Sequence, residues 1–190
     1  MEEQGISYSG DETYKEIDKL IKEKTRSELL IVCPYINRYY AKMLIWASGR
    51  RRVRVITSNS VVSSDAVKLI RKSRPGSGYI KAAIYFIILE AIFFFLKRYY
   101  LEVLLIPVVV VLLAIAVKRA SELKKRIEVK ISESRFIHEK LYISDGSAIS
   151  GSANLTYSGT RKNIEHIEKT YDTDRISALK EHFNSLWNSI

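Results

Sequence analysis

The chain has 190 residues, a net charge of +10 and 47% hydrophobic residues, which is enough for one folded domain with a core of its own. Its single cysteine, Cys33, excludes an intramolecular disulfide framework and is compatible with a reducing compartment. Residues 1–14 are acidic and polar, without the apolar core of a secretory signal, and there is no internal repeat or low-complexity segment.

The first predicted element is a helix. Thr13-x-x-Glu16 has capping-box spacing, and Tyr14, Ile17, Leu20 and Ile21 recur at helical intervals, which carries the helix to about Lys24. The apolar run 29–33 predicts a strand with Cys33 as a core residue. Residues 37–48 predict a helix ended by Gly49, and residues 53–57 a second strand. A helix over 64–73 follows and is stopped by the linker Arg74-Pro75-Gly76-Ser77-Gly78.

From Ile80 to Val117 the composition changes. Residues 82–96 are apolar except for Glu90, Lys97-Arg98-Tyr99-Tyr100 interrupts, and residues 103–117 are apolar again around Pro107. This pattern predicts a transmembrane helical hairpin over 79–118. Each run of about fifteen residues gives roughly 23 Å of helix, short of a roughly 30 Å hydrocarbon core. Tyr79, Tyr99, Tyr100 and the flanking Lys and Arg would close the gap by snorkelling. About ten Ile, Leu and Phe of the first run, at roughly −0.3 to −0.6 kcal/mol each, outweigh roughly +3 kcal/mol for Glu90. Two buried core helices, or a re-entrant or interfacial hairpin, are the alternatives.

Beyond the hairpin, residues 127–131 and 136–144 read as strands, as do 148–150 and 164–170. A last helix from Asp174 places Ile176, Leu179, Phe183, Leu186 and Trp187 on one face. On the second of these strands stands His138-Glu139-Lys140. Alternate side chains of an extended chain share a face, so the His138 imidazole and the Lys140 ammonium are expected to face one pocket. Asp145 follows, then Gly151-Ser152-Ala153-Asn154, whose N–H, hydroxyl and amide donors suit a phosphate without adding negative charge. Singly these signals are weak: H-x-K occurs on any basic strand, G-S-x-N ends ordinary hairpins, and Asp beside Gly commonly anchors its own turn. In this order on one apolar strand they read as a phosphodiesterase site, with His166 and His182 as structural or surface residues.

The pattern H-x-K-x4-D followed by G-S-x-N resembles the signature of the phospholipase D superfamily, which includes lipid-cleaving enzymes, phosphatidyl transferases and metal-independent nucleases. The likeness is strongest over 136–165 and looser over 28–58. Five residues separate Asp145 from Gly151 where the family commonly has six, a contraction expected to tighten the turn between two strands. The resemblance implies an α/β fold, a mixed sheet flanked by helices, and a two-step displacement at phosphorus. His138 would form a phosphohistidine, a second histidine would protonate the leaving oxygen, and water or an alcohol would resolve the intermediate. Lys140, Ser152 and Asn154 would hold the non-bridging oxygens, Asp145 would complete the motif, and Glu165 of Asn163-x-Glu165 would orient the histidine. No metal and no cofactor are implied. A chain with one motif implies a homodimer, its second histidine being His138 of the partner subunit.

Together these readings predict a catalytic domain in two parts, 1–78 and 119–190, interrupted by the transmembrane hairpin 79–118. In a strand-helix-strand unit the site lies at the carboxyl edge of the sheet and the helix returns to the opposite pole. The hairpin would leave from that pole, about ten helical residues or roughly 15 Å from His138, which favours a soluble phosphodiester such as nucleic acid over lipid. Arg50, Arg51, Arg52, Arg71, Lys72, Arg74, Lys118, Arg119, Lys124, Lys125 and Arg126 would face anionic headgroups. The positive-inside rule then gives a two-span membrane protein with its catalytic domain and both termini cytoplasmic. Arg38, Arg135, Arg161 and Lys162 remain near the mouth as substrate-binding candidates. Expected partners are a twin subunit, membrane lipids around the hairpin, and nucleic acid as substrate. Phospholipid, as for a phospholipase D or phosphatidyl transferase, is the alternative substrate, and a non-catalytic membrane scaffold the alternative to an enzyme.

Overall fold

Residues 29–32 are apolar without interruption and buried on both sides, as a strand must be when helices cover both faces of its sheet. The computed structural model describes residues 6–9, 12–25, 28–73, 84–85, 88, 110–111, 113–115, 118 and 126–190. The chain divides into two units, Met1–Ser73 with Arg126–Ile190, and Arg74–Lys125. In the first, β1 (Ile6–Ser9), α1 (Glu12–Lys22), β2 (Leu29–Val32), α2 (Arg38–Ser48), β3 (Val53–Ser58) and α3 (Val61–Lys72) come before the insertion. After it come β4 (Ile127–Ser132), β5 (Leu141–Ile143), β6 (Ala148–Gly151), β7 (His166–Thr170) and α4 (Thr173–Ser189).

The seven strands form one sheet in the order β1-β7-β6-β5-β2-β3-β4. β2, β3 and β4 are parallel, and the remaining pairings are antiparallel, giving the mixed sheet that the motif implied. Alternation along β2 assigns the two cores. Leu29 and Ile31 pack with Ile17, Leu20 and Ile21 of α1 and Tyr40 and Leu44 of α2. Leu30 and Val32 pack on the other face with Ile176 and Phe183 of α4. Removing any of these side chains leaves a cavity, at a cost of about 2–5 kcal/mol for a Leu or Ile to Ala change.

Local chemistry sets the helix starts. Asn37 accepts from the Tyr40 N–H, Ser60 from the Ser63 N–H, and Asp172 from the N–H groups of Asp174 and Arg175. Because Ser60 caps α3, that helix starts at Val61, earlier than expected. The capping box of Thr13 and Glu16 does not form. The helix already begins at Glu12, Thr13 donates to the Glu165 carbonyl, and Glu16 pairs with Lys169 of β7 at 2.8 Å. β1, unforeseen in a polar stretch, pairs along its whole length with β7.

In the second unit the described residues, 84–85, 88, 110–111, 113–115 and 118, are helical. The linker 74–78, Glu90 and the tip 97–100 lie outside the described residues. The expectation of a two-span membrane protein is overturned: among the described residues no helix is long and apolar enough to cross a membrane. Runs of about fifteen apolar residues fall short of the roughly 20 that a spanning helix needs, and snorkelling at the flanks does not lengthen them. The cytoplasmic placement and the inference of a bilayer remote from His138 fall with it.

Two of the basic residues assigned to headgroups have partners within the fold. Arg51 is 2% exposed and donates to the Leu20 and Ile21 carbonyls at the end of α1 and to Ser144. Arg52 pairs with Glu128 at 2.7 Å.

Candidate active site

β2 and β5 are antiparallel with Val32 opposite Leu141, so the carboxyl ends of the parallel strands meet the amino end of β5. His138 and Lys140 lie on the approach to β5. The strand expected over 136–144 is confined to Leu141–Ile143. The buried Ser58 hydroxyl at the end of β3 accepts from the Ile137 N–H at 3.0 Å and donates to its carbonyl at 3.1 Å, satisfying that residue outside any ladder. The loop nevertheless brings the two groups together. Lys140 is 6% exposed, donates to the His138 carbonyl at 2.7 Å, and lies 3.4 Å from both nitrogens of the exposed His138 ring. An ammonium has three donors and no acceptor, so donor capacity remains for an anionic oxygen beside the imidazole.

The glycine turn closes the other side. Gly151 has φ +155°, and a Cβ there would lie 2.2 Å from the His166 carbonyl oxygen. That close approach lets the Ser152 N–H reach the same oxygen at 2.9 Å. The Ser152 hydroxyl donates to Glu165 Oε2 at 2.5 Å and accepts from the His166 N–H at 3.0 Å. Asn163 donates to Glu165 Oε1 at 3.0 Å. Ser152, Asn163 and Glu165 therefore form one hydrogen-bonded group, and the hydroxyl must turn from Glu165 to donate to a phosphate.

Asn154 is placed by residues that carried no functional signal in the sequence. The buried Cys33 thiol, its pKa pushed up by desolvation, stays protonated and faces Asn154 Oδ1 at 3.8 Å, leaving the Nδ2 donors of Asn154 for other partners. Cys33 also accepts from the Leu155 N–H at 3.3 Å, and the Tyr142 hydroxyl donates to the Ala153 carbonyl at 2.6 Å. Cys33, Tyr142 and Ser58 thus hold the segments that carry Asn154, Ala153 and Ile137. The one available signal was that Cys33 and Ser58 end strands at the carboxyl edge, where such sheets build their sites.

The other sequence candidates have their own surroundings. Asp145 stands at the opposite end of β5, about 16 Å along an extended chain from Lys140, and pairs with Lys180 of α4 at 2.8 Å. Arg135, exposed, accepts at its carbonyl from Ser132. Arg38 is the exposed first residue of α2. Arg161 and Lys162, in the helical turn Ser158–Lys162, lie over the rings of Tyr14 at 4.4 Å and Tyr157 at 5.7 Å. Two histidines are engaged elsewhere, His166 near Ser7 at 3.4 Å and His182 with Glu139 at 3.0 Å. Among the described residues no group of three or more His, Cys, Asp or Glu is assembled to hold a metal ion.

The family model described as "Cardiolipin synthase, PLD-like domain" matches residues 17–187. No curated protein matches the chain by sequence. Among solved structures, it is similar to Nuc, a phospholipase D family member from Salmonella typhimurium, with 15% identity and a TM-score of 0.60 over 97% of this chain and 95% of that one. It is similar to NucT from Helicobacter pylori, with 14% identity and a TM-score of 0.59 over 98% and 96% of the two chains. Phosphatidylserine synthase from Haemophilus influenzae Rd KW20 shares 16% identity and a TM-score of 0.50, with 94% of this chain covering 37% of that one. At such identities the structures speak for the fold, whereas the family match spans most of the sequence. The chain belongs to the PLD-like domain family of that description and is a phosphodiesterase of the phospholipase D superfamily.

Proposed function

We propose that this phosphodiesterase acts without a metal through a phosphohistidine at His138, and that its substrate is nucleic acid. The observation that supports the mechanism is the exposed His138 ring with the buried Lys140 ammonium 3.4 Å from its nitrogens. A ring nitrogen attacks phosphorus, and a P–N bond forms as the bond to the leaving oxygen breaks. That oxygen takes a proton from His138 of the partner subunit. Water then attacks, giving its proton to the same partner imidazole, and the P–N bond breaks to release the phosphate and restore both rings. Lys140, Asn154 Nδ2 and the Ser152 hydroxyl hold the non-bridging oxygens, and Glu165 positions Ser152. Residues 1–78 and 119–190 make up the catalytic domain, and 79–118 are an insertion within it.

Arg38, Arg135, Arg161 and Lys162 supply cations for a polyanion. The sequence holds a single H-x-K, so the second imidazole is taken from a second copy in a homodimer. Hydrolysis or transfer on phospholipid is the second reading, and the cardiolipin synthase description of the family favours it.

The deciding assay measures turnover of bis(p-nitrophenyl) phosphate, labelled single- and double-stranded DNA, RNA and anionic phospholipid, with and without EDTA. Nucleic acid is expected to be cleaved equally with EDTA present. His138→Ala or Lys140→Ala is expected to lower the rate on the order of 10³-fold or more in a folded protein. Activity lost in EDTA and restored by a divalent ion would end the metal-free mechanism. Turnover of phospholipid alone would give the second reading.

A further inference from the structure

A cavity of about 290 Å³ lies between the start of α2 and the turn Ser158–Lys162, lined by Asn37, Tyr39, Tyr40, Tyr157, Thr160 and Arg161. Its two walls are tied together, because Ile36 bridges Leu155 and the Asn37 N–H donates to the Leu155 carbonyl at 2.8 Å. Tyr40 is fully buried, with its hydroxyl bound to Asp18 at 3.2 Å, so what it offers the cavity is its ring. Tyr39 meets that ring edge-on, with centroids 5.2 Å apart. Tyr39 and Tyr157 are 48% and 58% exposed, so both rings can meet a ligand. Cations stand around them: Arg161 in the lining, Lys162 over Tyr157, and Arg38 at the first turn of α2.

A short run of rings links the chain beside the cavity to the candidate active site. The ring of Phe136 is 6.1 Å from that of His138, and Tyr35 is 5.9 Å from Phe136. Tyr35 precedes Asn37 by two residues, a span of at most roughly 7 Å. The rings of Phe136 and Tyr35 therefore stand between the nucleophile and the segment that enters the cavity wall at Asn37. A space just below the roughly 300–1,000 Å³ of ordinary small-molecule pockets, walled by tyrosine rings and rimmed by cations, suits a flat heterocycle carrying a phosphate. A paired base cannot enter such a space without leaving its stack.

We propose that this cavity is a nucleobase subsite, which takes an unstacked base of single-stranded nucleic acid a few nucleotides from the scissile phosphate, held between Tyr39 and Tyr157 with Arg161 and Lys162 on the adjoining phosphates. The proposal rests on the nucleic-acid reading of the substrate and names its strandedness and a specificity pocket. An acyl chain would call for aliphatic walls and no rim of cations.

The test uses the full chain carrying His138→Ala, so that the probe stays intact, and follows binding of fluorescein-labelled oligothymidylate by anisotropy. A second oligonucleotide of equal length carries abasic sites, keeping the phosphates and removing the bases. Tyr39→Leu and Tyr157→Leu are each added, with thermal melts to confirm folding. Each is expected to weaken intact oligonucleotide by roughly 5- to 100-fold and to leave abasic binding unchanged, and Tyr157→Phe to restore the parent affinity. Equal binding by the parent and both Leu variants, or equal loss on intact and abasic strands, would overturn the subsite while leaving a nuclease in place. Weakened binding to anionic phospholipid vesicles instead would assign the cavity to lipid. If the unsubstituted chain neither cleaves nor binds DNA or RNA, the substrate reading itself fails and the subsite with it.

Discussion

Gly151 shows how narrowly a single position can be constrained. With φ +155° and the His166 oxygen 2.2 Å from where a Cβ would stand, alanine there requires backbone to move. We expect Gly151→Ala to lose about 1–3 kcal/mol of stability. The displaced β6–β7 contact should also carry Ser152 away from Glu165 and cut kcat at least about tenfold. Urea unfolding and turnover of a small phosphodiester check this, and unchanged values for both would mean that the turn is built differently. Glycine was legible at this place because G-S-x-N is contiguous in the sequence. Ser58, Cys33 and Tyr142 were not, because what they do depends on contacts with Ile137, Leu155 and Ala153, formed only when separate strands come together.

Among the elements, those with a contiguous signal were read closely: α2 between Asn37 and Gly49, β2, β3 and α4 agree with their apolar spacing and caps. Those set by tertiary partners were not. β1 is a strand because β7 pairs with it, and 136–140 is a loop because the Ser58 side chain takes the Ile137 backbone groups. β5 has a further consequence. Its direction carries the chain away from His138, so Asp145 ends in the β5–β6 turn with Lys180, their side chains 59% and 34% exposed. A surface pair of this kind is worth about 0–1 kcal/mol. Asp145→Asn should therefore lower stability by no more than about 1 kcal/mol and leave turnover within about twofold of the parent. A loss of activity comparable to that of His138→Ala, in a folded protein, would show that Asp145 reaches the site.

At the scale of the whole molecule, the proposed mechanism needs two imidazoles at one phosphorus, and a single chain offers only one beside Lys140. His166 is held near Ser7 on β1, and His182 is paired with Glu139 at 3.0 Å. Under the proposed mechanism the acid would come from a second copy, with a closed two-fold pair presenting the same loop from each side to one shared site. Subunits carrying His138→Ala, mixed with unsubstituted subunits in equal amounts and allowed to exchange, make this measurable. If each dimer has one site built from both copies, only the unsubstituted homodimers work, roughly one quarter of the total under random pairing. If each chain carries a complete site, activity follows the fraction of unsubstituted chains and falls only to about one half. Purified heterodimers sharpen the contrast, since lacking either the nucleophile or the acid they should retain less than about 1% of the parent rate. A heterodimer that keeps half the parent rate would place the acid within the chain itself, and the search for it would turn to the groups around the leaving oxygen.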